Sequence, residues 1–369
     1  MCDVPALRFP EFSGEWHKHS LGEIGETIIG LTYKPSDVVA DNGIIVLRSS
    51  NIKNGVIDYS DLVRVNKHVK DRIITKENDI LVCSRNGSQR LIGKNAIIKR
   101  EDINNTFGAF MMVYRSNDNP FILPLLSTRR YISQVGENLG ARINQITTSD
   151  FNGFEFYFPE NHVERAKIAE LFRLLDERIA TQNKIIEKLE TLIKGIIETV
   201  ISSQKPNTLI KNCLECNSST LQEIQVAETG AFPVYGATGI SGYTETADIN
   251  GESILIIKDG SGVGIVKFVT GEYSYIGTLN SLIAKDGYCL KYIYFSLQRF
   301  SFEPYKTGMA IPHIYFKDYG KAKIYCPSLS LQTLIAQKLS LIENKMEVEK
   351  RIILCYQLQK SYLLSRMFI

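Results

Sequence analysis

The sequence is short of almost everything that would announce a reaction. Five histidines and one tryptophan are spread over 369 residues. The seven cysteines (Cys2, Cys83, Cys213, Cys216, Cys289, Cys326, Cys355) are scattered and odd in number, unlike the disulfide framework of a small secreted domain. No apolar run approaches the roughly 20 residues that a membrane-spanning helix needs. No charged, apolar and small-residue leader follows Met1. We therefore expect a soluble, cytoplasmic, reduced protein with no membrane partner. Excess charge is missing too. The formal net charge is +3, with 19 basic and 19 acidic residues in 1–160 and 10 and 11 in 206–327. Any basic surface must then be local, because neither segment carries a net attractive field.

Catalytic motifs are equally scarce. The run from Gly87 to Asn95 has five residues between its glycines and ends in Asn, where a Walker A loop needs four, then Lys and a hydroxyl. Gly260-Ser261-Gly262-Val263-Gly264 sits between predicted strands with no helix to follow, so it does not make a dinucleotide turn. Asn119-Pro120-Phe121 lacks the second proline of the Asn-Pro-Pro-aromatic motif of amino-methyltransferases. Cys213-Leu214-Glu215-Cys216 has no second pair at zinc spacing. No catalytic residue, metal site or cofactor is expected in this chain.

What the sequence does contain is a duplication. Gly140-Ala141-Arg142-Ile143-Asn144-Gln145-Ile146 runs on through Asp150-Phe151 to Phe158-Pro159. Gly308-Met309-Ala310-Ile311-Pro312-His313-Ile314 runs on through Asp318-Tyr319 to Cys326-Pro327. The glycine, both isoleucines, the aspartate, an aromatic and the proline keep one offset. Such a period is too long for a solenoid repeat and reads as one domain plus one helix, copied once. Gly140, Arg142, Asn144, Gln145, Gly308 and His313 are the polar and glycine positions of this motif, structural or ligand-facing. Because Gln145 stands where the other copy has His313, the shared role is hydrogen bonding or packing rather than proton transfer.

A heptad-patterned segment follows each copy. The first steps through Ile168, Phe172, Leu175, Ile179, Gln182, Ile186, Leu189, Ile193, Ile196 and Val200. The second steps through Ile335, Leu339, Ile342, Met346, Glu349, Ile353, Tyr356, Lys360, Leu363 and Met367. A 4-3 ladder this long predicts a coiled coil. Asn161 and Glu164 have capping-box spacing at the first start. The second module lies between the two helices in the chain, so an antiparallel pairing is expected, with the modules related by a pseudo-two-fold axis. Glu349, Tyr356 and Lys360 dilute the second seam, and its last turn is expected to pack on a domain or partner instead.

The remaining segments read as short strands. They are Gly43–Leu47, Asp79–Cys83, Asn95–Ile98 and Phe110–Tyr114 in the first module, and Ser253–Ile257, Gly264–Phe268 and Ser281–Ile283 in the second. One helix per module is expected, near Pro120–Gln134 and near Cys289–Phe300. The fold class is therefore α+β, with domains at 1–160 and 205–327 and long helices at 161–204 and 328–369. Ile80-Leu81-Val82 and Ile254-Leu255-Ile256 each lead into a polar turn, and those turns differ in chemistry. Ser84, Arg85, Asn86, Ser88, Gln89 and Arg90 in one, and Lys258, Asp259 and Ser261 in the other, are side chains able to read base edges. Arg129, Arg130, Tyr305, Lys306 and Thr307 are further candidates for phosphate contacts.

Taken in order, these features resemble the specificity (S) subunit of Type I restriction–modification systems. The opening Pro5-Ala6-Leu7-Arg8-Phe9-Pro10 to Trp16, Leu21-Gly22-Glu23-Ile24, and Phe232-Pro233-Val234-Tyr235-Gly236 to Tyr243 are similar to segments of that family. The resemblance covers the whole chain. It implies two target-recognition domains inverted about an antiparallel coiled coil, each binding one half of a bipartite, gapped double-stranded DNA target. It also implies two methyltransferase subunits and restriction subunits as partners. S-adenosylmethionine, ATP and Mg²⁺ would be used in those partners and not in this chain. A coiled-coil scaffold without a nucleic-acid role and a stand-alone methyltransferase fit fewer of the features.

Overall fold

The structure, a computed structural model, describes residues 4–141, 144–308 and 310–369. The chain divides into two compact units, Met1–Thr181 with Ile352–Ile369, and Gln182–Arg351.

The first unit is built around a four-stranded sheet in the order Glu26–Ile29, Met111–Arg115, Ile80–Cys83, Asn95–Ile97, all antiparallel. Alternation along the strands explains its two cores. Ile80, Val82, Met112 and Tyr114 face an aromatic cluster with Trp16, Phe121, Phe151 and Phe158. Leu81, Cys83, Met111 and Val113 face the other way, onto Leu47, Ile52 and Phe107. A second small sheet, Thr106–Phe107, Ile44–Leu47, Arg64–Val65 and Val38–Val39, lies on that side. Trp16–Ser20 pairs with Glu155–Pro159 and ties the module's two ends together.

The second unit repeats the frame. Leu214–Ser218, Leu279–Ala284, Ile249–Ile257 and Val266–Tyr275 keep the same antiparallel order, and the hairpin Phe232–Gly236 and Gly239–Thr244 extends the sheet. Ile254, Ile256 and Leu282 face one core, while Leu255, Ile257, Tyr273 and Leu279 face another. Thr208–Leu209 pairs with Lys323–Ile324, the counterpart of the end-tying pair in the first unit.

Every strand expected from the sequence is present, most within two residues of the expected limits. The helices needed more correction. Near Pro120–Gln134, where one was expected, the first module carries two, Asn119–Leu125 and Arg129–Ala141, and it adds the short helices Leu21–Ile24 and Thr148–Asn152. The chain turns at Leu126–Thr128, where Thr128 Oγ1 donates to the Leu125 carbonyl at 2.7 Å. The second module carries Leu290–Gln298 where its helix was expected, and adds the one-turn helices Ile210–Cys213 and Phe316–Tyr319.

Both long helices form, over His162–Ile196 and Leu329–Met367. Their pairing is antiparallel, as chain order predicts. Within the first unit the Phe172 and Phe368 rings stack at 5.6 Å, and Lys360 reaches Asp176 at 2.5 Å. Within the second, Gln182 donates to Glu349, and Ile193 and Ile197 share a core with Ile335 and Leu339. Lys360 therefore sits in the seam by pairing with a carboxylate. The last turn packs the ladder residue Met367, and Phe368 beyond it, among Trp16 and Phe121 of the domain and Phe172 of the first helix, so it meets the domain as expected without giving up the first helix.

Two details of the rods differ from the sequence reading. The first helix continues into a wider, π-type turn, Ile197–Ser202. That extra residue per turn shifts the buried face to Ile193, Ile197 and Ile201 and leaves Val200 exposed. Glu164 does not close a capping box. Asn161 Oδ1 accepts from the Val163 amide at 2.9 Å, while the buried Glu164 carboxylate accepts two bonds from Arg8 at 2.7 and 2.8 Å. A charged partner from the N-terminal segment outcompetes the local backbone amide. No helix among the described residues is long and apolar enough to cross a membrane.

Candidate nucleic-acid interface

The polar turn after the central strand and the duplicated motif are far apart in sequence, but the fold joins them. In the first module the Ile146 amide donates to the Ser84 carbonyl at 2.9 Å, and the Asn86 amide donates to the Asn144 carbonyl at 3.3 Å. In the second the Ile314 amide donates to the Lys258 carbonyl at 2.9 Å, and the Gly260 amide to the Pro312 carbonyl at 3.0 Å. Each pair of bonds encloses one antiparallel rung, Arg85 opposite Gln145 and Asp259 opposite His313. The motif is thus a short clamp strand laid on the base of the turn.

The rest of the frame matches rung for rung. The Cys83 and Ile257 amides donate to Lys94 and Ile265, and the Gly93 and Gly264 amides return to Cys83 and Ile257. Gly93 and Gly264 have φ of 79° and 92°, the left-handed region that favours glycine. The Ser84 and Lys258 amides both donate at 3.0 Å to the strand on the other side, at Phe110 and Thr278. Ser84 thus corresponds to Lys258, Arg85 to Asp259, Gln145 to His313 and Phe110 to Thr278.

On this shared frame the side chains differ. In the first module the exposed Arg85 guanidinium lies over the Phe110 ring, 5.1 Å from its centroid. Asn86 donates to Ser49 Oγ at 2.9 Å and accepts from the Ser88 amide at 3.0 Å, and Asn144 donates to the Gly87 carbonyl at 3.1 Å. Ser84 Oγ donates to the Phe110 carbonyl at 2.9 Å. Gln89 and Arg90 are exposed on the one-turn helix Gln89–Leu91. In the second module His313 Nδ1 and Asp259 Oδ1 are 2.7 Å apart, with both side chains about one-third exposed. The carboxylate can only accept, so Nδ1 carries the proton and Nε2 is left for a ligand. Thr307 exchanges two backbone bonds with His313, and Ser261 is exposed beside Gly260. Burial pushes the Cys83 thiol behind the first turn up to about 11, so it offers no thiolate at neutral pH.

Other sequence candidates fall elsewhere. Arg129 is exposed at the start of Arg129–Ala141, with no contact to the clamp among those described. Arg130 Nε donates to the Glu155 carbonyl at 2.7 Å, and its guanidinium covers Tyr157, so it braces the closing strand. Tyr305 stacks on Phe300 and Lys306 pairs with Glu303, which turns both toward their own loop. Gly140 lies in the last turn of a helix. Gly308, by contrast, takes φ 86° in a loop where an added Cβ would meet the Ile311 carbonyl at 2.4 Å. The glycine shared by the two sequences is therefore not shared in structure. Arg142 lies outside the described residues. Cys213 faces Cys326 at 3.8 Å rather than Cys216. Sequence reasoning missed Phe110 and Ser49; aligning the strand after each turn would have paired Phe110 with Thr278 and drawn attention to an aromatic 59% exposed.

The comparisons with known proteins agree with this duplicated arrangement. The Type I restriction enzyme StySPI specificity subunit of Salmonella potsdam is 26% identical over 251 residues, 66% of this chain and 53% of that protein. The EcoKI specificity subunit of Escherichia coli K12 is 27% identical over 192 residues, 50% of this chain and 37% of that protein. The matches thus span about half or less of those curated relatives. In structure, the S subunit of a Type I restriction–modification system from M. genitalium aligns with a TM-score of 0.71 at 18% identity, over 99% of both chains. A chain from work on complex assembly and conformational transition of the type I R-M system aligns at 0.52 with 14% identity, over 97% of this chain and 98% of that one. These two share the fold. The family model described as Type I restriction modification DNA specificity domain matches residues 13–191 and 210–354, most of the sequence. The chain belongs to that family.

Proposed function

We propose that this chain is the DNA-recognition subunit of a Type I restriction–modification complex. One module reads each half of a bipartite double-stranded DNA target. The observation that carries this reading is the repeated clamp: one backbone register, found in both modules, presents different polar side chains from the same place. A structural duplication has no need to vary a solvent-reachable polar rung, whereas a pair of readers for different half-sites does. The neutral overall charge fits a reader that relies on partners for part of its hold on the phosphate backbone.

On the same reading the catalytic work belongs to partner subunits: methyltransferase subunits using S-adenosylmethionine, and restriction subunits using ATP and Mg²⁺. The chain's own contribution is to select the sequence and position those partners. The test is selection from a random pool of double-stranded DNA by the purified chain with its methyltransferase partners. Retained sequences should contain two short fixed blocks separated by a fixed gap. Absence of retention, or retention without sequence preference, would favour a scaffold role.

A further inference from the structure

We propose that the two side chains on the clamped rung are the specificity-determining pair of each module, and that the two pairs read opposite chemistries. Arg85 with Gln145 selects a guanine edge in the first half-site. Asp259 with His313 selects a base amino group, cytosine N4 or adenine N6, in the second. This assignment rests on the DNA-reading function above and adds which residues select which class of base.

The geometry comes first. Bonds from Ile146 to Ser84 and from Asn86 to Asn144 surround Arg85 and Gln145 without linking them. That pattern defines a non-hydrogen-bonded antiparallel pair, whose Cα atoms lie about 4.5 Å apart with side chains on one face. The same enclosure holds for Asp259 and His313. In each module, then, two polar side chains leave the backbone side by side from a turn anchored by bonds on both flanks. A reader needs that rigidity, because a base edge is told from its alternatives by a fraction of an ångström.

Chemistry then separates the modules. Arg85 is exposed, rests on the Phe110 ring and has no carboxylate partner among the described residues. An arginine placed over an aromatic face keeps its planar fork of donors free, and that fork matches guanine O6 and N7. Gln145 beside it can donate and accept, which suits an adjacent base or the same guanine. Asp259 inverts the requirement. Its carboxylate accepts only, so it is repelled by phosphates and by the acceptor pair of guanine, and it accepts from an amino group. His313 occupies one carboxylate oxygen through Nδ1, leaving the other oxygen and the ring Nε2 for the base pair.

Four variants in the full complex test the assignment: Arg85→Ala, Arg85→Lys, Asp259→Asn and the double exchange Arg85→Asp with Gln145→His. Each is expressed with its partner subunits, and the preferred sequence is read by single-molecule sequencing of methylated adenines. Thermal melting of each purified complex checks folding. Arg85→Ala should lower discrimination at one base pair of the first half-site by roughly ten- to a hundredfold, with the second half unchanged. Arg85→Lys, which keeps the charge but not the fork, should lose most of the same discrimination. Asp259→Asn should relax one position of the second half only. The double exchange should move the first-half preference from guanine toward an amino-bearing base. A uniform fall in methylation over an unchanged motif would mean a phosphate contact and would overturn the assignment, as would changes spread over both halves. A wild-type complex that yields no bipartite motif sinks the DNA reading as well. A clear wild-type motif indifferent to folded variants sinks only the pairing.

Discussion

The two modules are held together by different means around the same clamp. In the first, the turn is long, leans on Phe110 and Ser49, and lies on a sheet backed by an aromatic core. Phe368, from the end of the second long helix, completes that core. In the second, the turn is a tight glycine-rich loop with an ion pair on the rung itself, and the supporting core takes Ile193, Ile197, Ile335 and Leu339 from the rods, as the first takes Ile168, Phe172 and Leu175. The frame is fixed by backbone bonds and period-2 burial, which many side chains satisfy. What sits on the frame is free to vary, because the exposed rung contributes little to packing. On the proposed reading, stability and recognition occupy separate residues, and that separation can be broken experimentally.

The largest effect should come from Phe368→Ala. Removing a buried aromatic ring costs about 3–5 kcal/mol, and the loss should be confined to the first unit. Hydrogen exchange should speed up around Phe121, Phe158 and Phe172 while Leu282 and Ile293 keep their protection. Equal acceleration in both units would contradict independent cores.

Next is the polar pair in the seam of the second unit, a buried Glu349 and a half-buried Gln182. Glu349→Ala leaves both Gln182 and Lys345 without this partner and should cost about 1–3 kcal/mol in denaturant unfolding. Replacing both by leucine should be neutral or stabilising by about 1–4 kcal/mol, at the expense of the register that a polar seam pair specifies. A double variant less stable than the single one would show that the pair is a net source of stability.

A smaller effect is expected at Gly308. Its left-handed φ and the close Ile311 carbonyl make Gly308→Ala strained by about 1–2 kcal/mol. The strain falls on the loop that holds His313, so readout by the second module should suffer more than global stability. Calorimetry beside DNA selection separates the two, and an intact second half-site in the variant would place the loop outside the reader.

Much of this architecture was legible before any coordinates. The strands over Ile80–Cys83 and Ser253–Ile257, the long helices and the antiparallel pairing all follow from period and chain order, although the second strand begins earlier, at Ile249. The duplication also marked the segment that lies on the base of each turn. The chain turn at Leu126–Thr128 was not legible, since apolar periodicity continues across it. Nor was the one-residue shift from Val200 to Ile201, which a π-type turn introduces without a sequence signal of its own. The site was half legible. Arg85, Gln145, Asp259 and His313 were each singled out, but nothing local to either segment says that residue 85 lies opposite residue 145. That pairing depends on where the chain returns to the sheet. Arg130 illustrates the opposite failure, a cation whose sequence context suits phosphate but whose Nε is committed to the Glu155 carbonyl.

Module exchange tests the central claim most directly. Residues 206–327 would be replaced by the corresponding segment of another family member, and methylated adenines mapped in a host that expresses the hybrid with its partners. Two independent readers on one frame predict that one block of the recognised sequence changes while the other stays as it was. If both blocks change together, or neither does, recognition is not divided between the modules and the account fails.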